Sequence, residues 1–241
     1  MPIYGSYYGF DWTYFIIVLP CIILSLLASS SVKNTFRKYS QQYSSRRITG
    51  ADAAARVLRN HGITNVRIEQ IAGDLTDHFD PKTNVIRLSD GVYNSTSTAA
   101  IGVACHEAGH AVQYAQHYAP IKLRAAIIPI TNFGSKIAMP LILLGIVFSF
   151  LGTFSYTLVY IGIACFGLSL VFQLITLPVE FNASRRAIRT IEDSAILTQS
   201  ELVGAKKTLT AAAMTYVAAT AVSLAQLLRL IVLFGGRRRN D

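Results

Sequence analysis

Long apolar runs bordered by basic residues limit this chain more than any other feature. The first covers residues 12–32 and contains no charged side chain. At about 1.5 Å per helical residue it crosses the roughly 30 Å apolar layer of a bilayer. Two more, 137–154 and 157–177, are separated by an uncharged turn near Ser155 and Tyr156, and a fourth covers 211–234. The chain has 241 residues, 52% of them hydrophobic, and they are bunched rather than spread. That pattern fits several membrane spans plus a small water-facing unit better than one soluble core.

Charge sets the expected topology. Residues 1–11 carry no Lys or Arg, so the first run reads as a retained anchor, although Ala28-Ser29-Ser30-Ser31 resembles a cleavage site. Lys33, Arg37, Lys38, Arg46 and Arg47 follow it at once, which puts residues 1–11 outside the cytoplasm and the next segment inside. Lys122, Arg124 and Lys136 precede the 137–177 hairpin, and Arg185, Arg186 and Arg189 follow it. Residues 33–136 and 178–210 are therefore expected on one face of the membrane. The 211–234 run crosses as a fourth span or lies in the interface. It carries Gln226 and Arg229, and crossing would leave Arg237, Arg238 and Arg239 of the 235–241 tail outside, against the charge rule.

The net charge of +9 sits beside these runs, where it anchors acidic lipid headgroups. No continuous basic surface with interleaved aromatics appears, so nucleic acid is not an expected partner. Cys21 and Cys165 lie in apolar runs, and no CxxC pair suggests a disulfide framework. Cys105 adjoins His106, but neighbours on a helix point about 100° apart, so both cannot easily face one ion.

Residues 48–118 read as a soluble α+β unit. Thr49 caps a helix carrying Ala53, Ala54, Val57 and Leu58, ended by His61-Gly62. Val66 to Ile71 alternates like a half-buried strand, and a second strand covers Val85 to Ser89 after the turn Asp80-Pro81-Lys82-Thr83-Asn84. An exposed edge on that second strand would let an extended peptide add as a further strand. Asn94, Ser95 or Ser97 then caps a long helix.

That helix carries His106-Glu107-Ala108-Gly109-His110, an H-E-x-x-H pattern. Residues four apart share a helix face, so the two imidazoles can grip one Zn²⁺. Glu107 is offset from that grip yet close enough to take a proton from the metal's water, as a general base must. The surrounding helix is largely apolar, which makes charged groups costly unless a metal partners them. Gly109 lowers helix stability but lets another backbone or a substrate come close.

One more protein ligand is needed, with a position left for water. His117 lies about 10 Å beyond His110 along a continuous helix, too far for one ion. The metzincin arrangement would need Gly and His where Gln113 and Gln116 stand. His78, the aspartates from Asp74 to Asp90, and Glu180 remain open. Glu180 has Pro178 just ahead of it, as at the start of a helix over 180–191, where an acid is also stabilised by the helix dipole.

The chain resembles the bacterial neutral zinc metallopeptidase family called YugP-like, whose members are described as membrane proteases. The resemblance covers almost the whole length. It includes Asp77-His78-Phe79-Asp80-Pro81, Val85-Ile86-Arg87-Leu88-Ser89 with Val92-Tyr93, the segment His106 to Gln113, and Leu177-Pro178-Val179-Glu180-Phe181-Asn182-Ala183-Ser184. More distantly it is similar to the HtpX and CAAX-prenyl-protease gluzincins, in which the Glu of a downstream E-x-x-A-D is the third zinc ligand. The resemblance places that role on Glu180 and puts Ser184 where the distant relatives have Asp, a weaker support for a ligand. His78, Tyr93 and Arg185 are candidates for substrate contact or for holding the oxyanion.

The expected fold is an α-helical membrane protein with about four transmembrane helices and a small α+β zincin-like catalytic unit facing the cytoplasm. The expected activity is a zinc-dependent metalloendopeptidase of the bacterial plasma membrane, with one Zn²⁺ per chain and polypeptide substrates, among them membrane or misfolded proteins. The alternative is a non-proteolytic membrane scaffold or adaptor with a zinc-stabilised site. Glu107 argues against it, because a structural site has no use for a base.

Overall fold

The computed structural model describes residues 11–235, so most of the expected extracytoplasmic N-terminus and the tail arginines 237–239 lie outside the described residues. The described residues are mostly helical, with one three-stranded sheet. Among the described residues, four helices are long and apolar enough to cross a membrane: Tyr14–Tyr39, Ala119–Val147, Thr153–Asp193 and Gln199–Gly235. The first opens with a π-helical stretch, Tyr14–Val18, and continues as α1, Leu19–Tyr39; the others are α5, α6 and α7. The chain divides into two compact units.

One unit comprises residues up to 27, 123–176 and from 216 on. The turn between α5 and α6 falls at residues 148–152, earlier than Ser155 and Tyr156. A 3-10 turn, Ser149–Leu151, and Gly152 at φ 58° reverse the chain there. An apolar turn inside an apolar run leaves no compositional mark; the left-handed glycine makes it. Gly162 then lets the two helices meet, since a Cβ there would lie 2.8 Å from the Ala138 carbonyl oxygen. Arg229 on α7 donates to the Asp11 carboxylate from Nε at 3.0 Å and also from Nη2, and its guanidinium covers the Tyr14 ring at 5.3 Å. The Tyr160 hydroxyl donates to the Phe234 carbonyl at 3.2 Å. The start of the first apolar helix and the end of the last are thereby tied together.

The second unit comprises 28–122 and 177–215. Helix α2, Gly50–Asn60, starts on a capping box: Thr49 Oγ1 accepts from Asp52 N at 3.1 Å and Asp52 reaches back. His61 and left-handed Gly62 end it. The sheet has the order β1-β3-β2, from β1 Arg67–Ile71, β2 His78–Asp80 and β3 Val85–Ser89. β3 runs parallel to β1, with Ile86 opposite Ile68, and antiparallel to β2, with Ile86 opposite Phe79. β3 is therefore central, and the edge expected on it is occupied on both sides. The sequence missed β2 because three residues of turn-rich composition carry no period. A short α3, Asp90–Tyr93, leads to α4, Thr98–Ala115, whose cap is Ser97, with Oγ 3.2 Å from Ala100 N. Apolar residues of α2, β3, α4, α6 and α7 form one core, including Val57, Leu88, Ile101, Val112, Ile191 and Leu209.

Two helix expectations need correction. No helix begins at Glu180: α6 runs unbroken through Pro178, so Glu180 lies deep inside a 41-residue helix and the dipole argument does not apply. A proline without an N–H only releases the carbonyl of Leu174, which a long helix tolerates, and the sequence signal is the same as for a helix start. Nor does α4 continue to His117. It ends at Ala115, and His117 turns the chain at φ 55°.

Candidate metal centre

Helix α4 presents His106 and His110 one turn apart, their ring centroids 4.7 Å from each other. Glu180 arrives from α6. Its Oε2 lies 3.2 Å from His106 Nε2 and 3.6 Å from His110 Nε2. The ligand atoms of all three residues fall within 4.8 Å of one another. Glu180 is 2% exposed, and His110 and Glu107 are 9% exposed. A carboxylate so far from water needs a positive partner.

The far nitrogens of both imidazoles are engaged. His110 Nδ1 is 3.0 Å from Gln113 Oε1. Gln113 Nε2 donates to the Val179 carbonyl at 2.8 Å and to Asn182 Oδ1 at 3.0 Å, which fixes which end of the amide faces the imidazole. His110 therefore donates from Nδ1 and turns its Nε2 to Glu180. His106 Nδ1 lies 3.1 Å from Ser184 Oγ. Lone pairs of two imidazoles and a carboxylate facing one point fit a divalent cation. Two nitrogens and one oxygen suit zinc with a position left for water. Burial alone would lower the pKa of His110, but the Glu180 and Glu107 carboxylates more than reverse that and raise it. The cluster demands positive charge at its centre.

Gly109 makes the convergence possible. A Cβ there would lie 2.8 Å from the Ala183 carbonyl oxygen, so α6 occupies the space a side chain would fill. The close partner is backbone. Cys105 points elsewhere, into the core, where burial pushes its thiol up.

Asp77 adds a feature that spacing could not reveal. Its carboxylate accepts from Ser89 N at 2.7 Å and from Ser89 Oγ, tying the approach to β2 to the end of β3. Burial raises its pKa, the Ser89 hydrogen bonds oppose that, and the charge of Glu107 adds to the rise. Asp77 thus lies within electrostatic reach of Glu107.

The other sequence candidates are dispersed. His78 opens β2, exposed, with Nδ1 2.8 Å from the Thr76 carbonyl and Nε2 3.5 Å from Arg87 Nη1. Asp80 accepts from the Thr83 hydroxyl, Lys82 N and Arg87, which hold its carboxyl down to about 2. Tyr93 ends α3 against the core. Arg185 is exposed and lines a cleft with Asn60, Arg189 and Asp193. Among the described residues, of the third-ligand candidates only Glu180 joins the imidazoles. Gln113 and Asn182 were not anticipated as supports; Gln113 stands three residues past His110, a spacing that brings helix neighbours together.

Residues 14–235 match the family described as "Putative neutral zinc metallopeptidase", and the chain belongs to that family. It is similar to the protein named "Putative membrane protease YugP" of Bacillus subtilis (strain 168), with 46% identity over 218 residues, which cover 90% of this chain and 95% of that one. No solved structure matches.

Proposed function

We propose that this protein is a membrane-bound zinc endopeptidase of the gluzincin type, with a zincin-like catalytic unit built on α4, α6 and the sheet. His106, His110 and Glu180 hold one Zn²⁺ per chain, and Glu107 is the general base. The observation that carries the reading is the set of three ligand atoms within 4.8 Å, with Gln113 and Ser184 at the far nitrogens of the imidazoles. A zinc ion held by His106, His110 and Glu180 would supply a Lewis acid able to acidify water and polarise the scissile carbonyl. Glu107 takes the proton of the attacking water and passes it to the leaving amine. Gln113 and Ser184 keep the imidazole planes fixed while this happens.

The substrate is a polypeptide in extended form. β2 pairs with β3 along one side only, and its Phe79 packs edge-on against Tyr114 of α4 at 5.6 Å between centroids. The other side of β2 is the edge along which a peptide can pair, and His78 is the side chain on it most able to touch a bound chain. Membrane or misfolded proteins are the expected substrates. Tyr93 remains a less direct candidate for substrate contact; Arg185 points roughly 140° around α6 from Glu180 and is set aside in that role.

The basic residues after the first span and around the hairpin support a multi-pass protein of the bacterial plasma membrane with this unit in the cytoplasm. The Asp11–Arg229 pair supports α7 as a fourth crossing, because a helix end tied to the outer end of the first span must itself reach that side. A scaffold reading is disfavoured by the family and by the buried carboxylate of Glu107 beside the trio.

The deciding experiment uses the full chain in mild detergent, with zinc counted per chain and peptide cleavage compared with Glu107→Gln. Full zinc with cleavage reduced by about a thousandfold or more is expected for the variant. Equal cleavage by both proteins would remove Glu107 as base. Protease accessibility on intact cells tests orientation: cleavage near His106 from outside would reverse it.

A further inference from the structure

We propose that a cleft on the side of α6 opposite Glu180 binds the phosphate of an anionic phospholipid headgroup. The cleft is about 420 Å³ and is lined by Asn60, Asn182, Arg185, Arg186, Arg189 and Asp193, among others. At about 100° per residue, Arg189 points roughly 180° around the helix from Glu180, and Arg185 roughly 140°. Arg185 and Arg189 thus point away from the metal centre, while Asn182 of the lining also accepts from Gln113.

The lining holds three guanidinium groups and one carboxylate, that of Asp193, and so keeps an excess of positive charge. Arg186 is already held in place. Its Nε donates to Asn182 Oδ1 at 2.7 Å, its Nη1 to Gln116 Oε1 at 2.5 Å, and it stacks over the Tyr118 ring at 5.9 Å. Both acceptors are neutral amides, so the fixation leaves the charge uncancelled. Arg185 and Arg189 are exposed and form no ion pair among the described residues. Planar guanidinium forks bind phosphate oxygens two at a time.

The position along the helix selects a lipid. Residues 153–179 of α6 contain no charged side chain. Arg185 and Arg189 follow Val179 by six and ten residues, about 9 and 15 Å along the axis, and each side chain can reach back toward the span. The headgroup layer is roughly 5–8 Å deep on each face of a bilayer, within reach of a long side chain at that height. Clustered basic residues immediately past a span attract anionic lipid. The inference rests on α6 as a membrane helix and is independent of zinc chemistry.

Native mass spectrometry of the full chain, released from mild detergent with added phosphatidylglycerol or phosphatidylcholine, tests it. The wild type is expected to retain phosphatidylglycerol in preference to phosphatidylcholine. Arg185→Gln/Arg189→Gln is expected to bind phosphatidylglycerol about tenfold or more weakly, since two charge-assisted phosphate contacts are lost. Lys206→Gln/Lys207→Gln removes the same charge from exposed positions on α7 and is expected to bind as the wild type does. Zinc content should stay constant throughout, which separates failure here from failure of the peptidase reading. Equal affinity in wild type and the arginine variant, or equal loss in the lysine variant, overturns the site. Displacement of the lipid by an equal concentration of inorganic phosphate overturns the lipid as its occupant. If the glutamine variant unfolds, Arg185→Lys/Arg189→Lys keeps the charge without the fork. Binding weaker by about threefold or more is then expected, and unchanged binding overturns a phosphate fork.

Discussion

Gln113 Oε1 sits 3.0 Å from Nδ1 of His110, one helical turn beyond the imidazole it supports. The amide is itself fixed by α6, through the Val179 carbonyl and Asn182. One glutamine therefore joins the two helices that carry His106, His110 and Glu180. Gln113→Leu preserves volume but leaves Nδ1 without its acceptor. Zinc affinity is expected to fall about 10–100-fold, as for other lost supports of metal-bound imidazoles. Competition with a chromophoric chelator measures it; unchanged affinity would show that helix packing alone positions His110.

Ser184 provides the corresponding contact to His106, at 3.1 Å. Ser184→Asp is expected to strengthen the support, because a carboxylate accepts the Nδ1 proton better than a hydroxyl does. Zinc should be retained against chelator about threefold or more longer, while Ser184→Ala loses it faster. The same order in chelator-driven zinc release checks this prediction, and the reverse order refutes it.

Gly109→Ala would place a methyl group 2.8 Å from the Ala183 carbonyl oxygen. Helix backbones cannot yield locally as side chains do, so α4 and α6 must separate. A stability loss of about 1–3 kcal/mol is expected, from overpacking, together with weaker zinc binding. Denaturant unfolding of the wild type and variant with and without chelator gives both quantities. A stable variant with normal zinc would mean that the interface has slack.

Asp77 predicts a pH dependence. Burial above all, with Glu107 adding, holds its folded pKa above the unfolded value. The folded state then binds the proton more tightly, so this contribution to stability is present below the unfolded pKa of about 3.9 and is lost as pH rises through the folded pKa. Asp77→Asn keeps an acceptor for Ser89 N and removes the titration. Relative to the wild type, the variant should gain stability as pH rises above about 4. Melting temperatures of both proteins across that range decide; a difference independent of pH would contradict the assignment.

Arg229 and Asp11 form a charge pair between the last apolar helix and the start of the first. Arg229→Leu strands Asp11 and is expected to cost about 1.5–3 kcal/mol, as for a charge-assisted hydrogen bond. The exchange Asp11→Arg/Arg229→Asp should recover part of it. Unfolding in mild detergent measures both, and no recovery would indicate that packing against Tyr14 matters more than the pair.

Several elements were legible because a local rule decides them. The Thr49 cap, the Gly62 stop and the strands ending at Ile71 and Ser89 follow from turn chemistry and periodicity. The H-E-x-x-H spacing puts two imidazoles on one face whatever surrounds them. The turn at residues 148–152 and the helix through Pro178 were misplaced, because apolar composition is uniform across the first and proline marks a helix start as readily as a helix interior.

The sequence by itself determined four apolar segments, their basic borders and the spacing of His106, Glu107 and His110, since hydrophobicity and helical period are properties of neighbours in the chain. Tertiary structure decided the rest. It brought Glu180 to the imidazoles across the contact at Gly109, made β3 central rather than an edge, and set Arg185 and Arg189 of α6 in one cleft with Asn60 of α2. Those outcomes depend on which backbones can approach closely, and that is fixed only when distant helices pack.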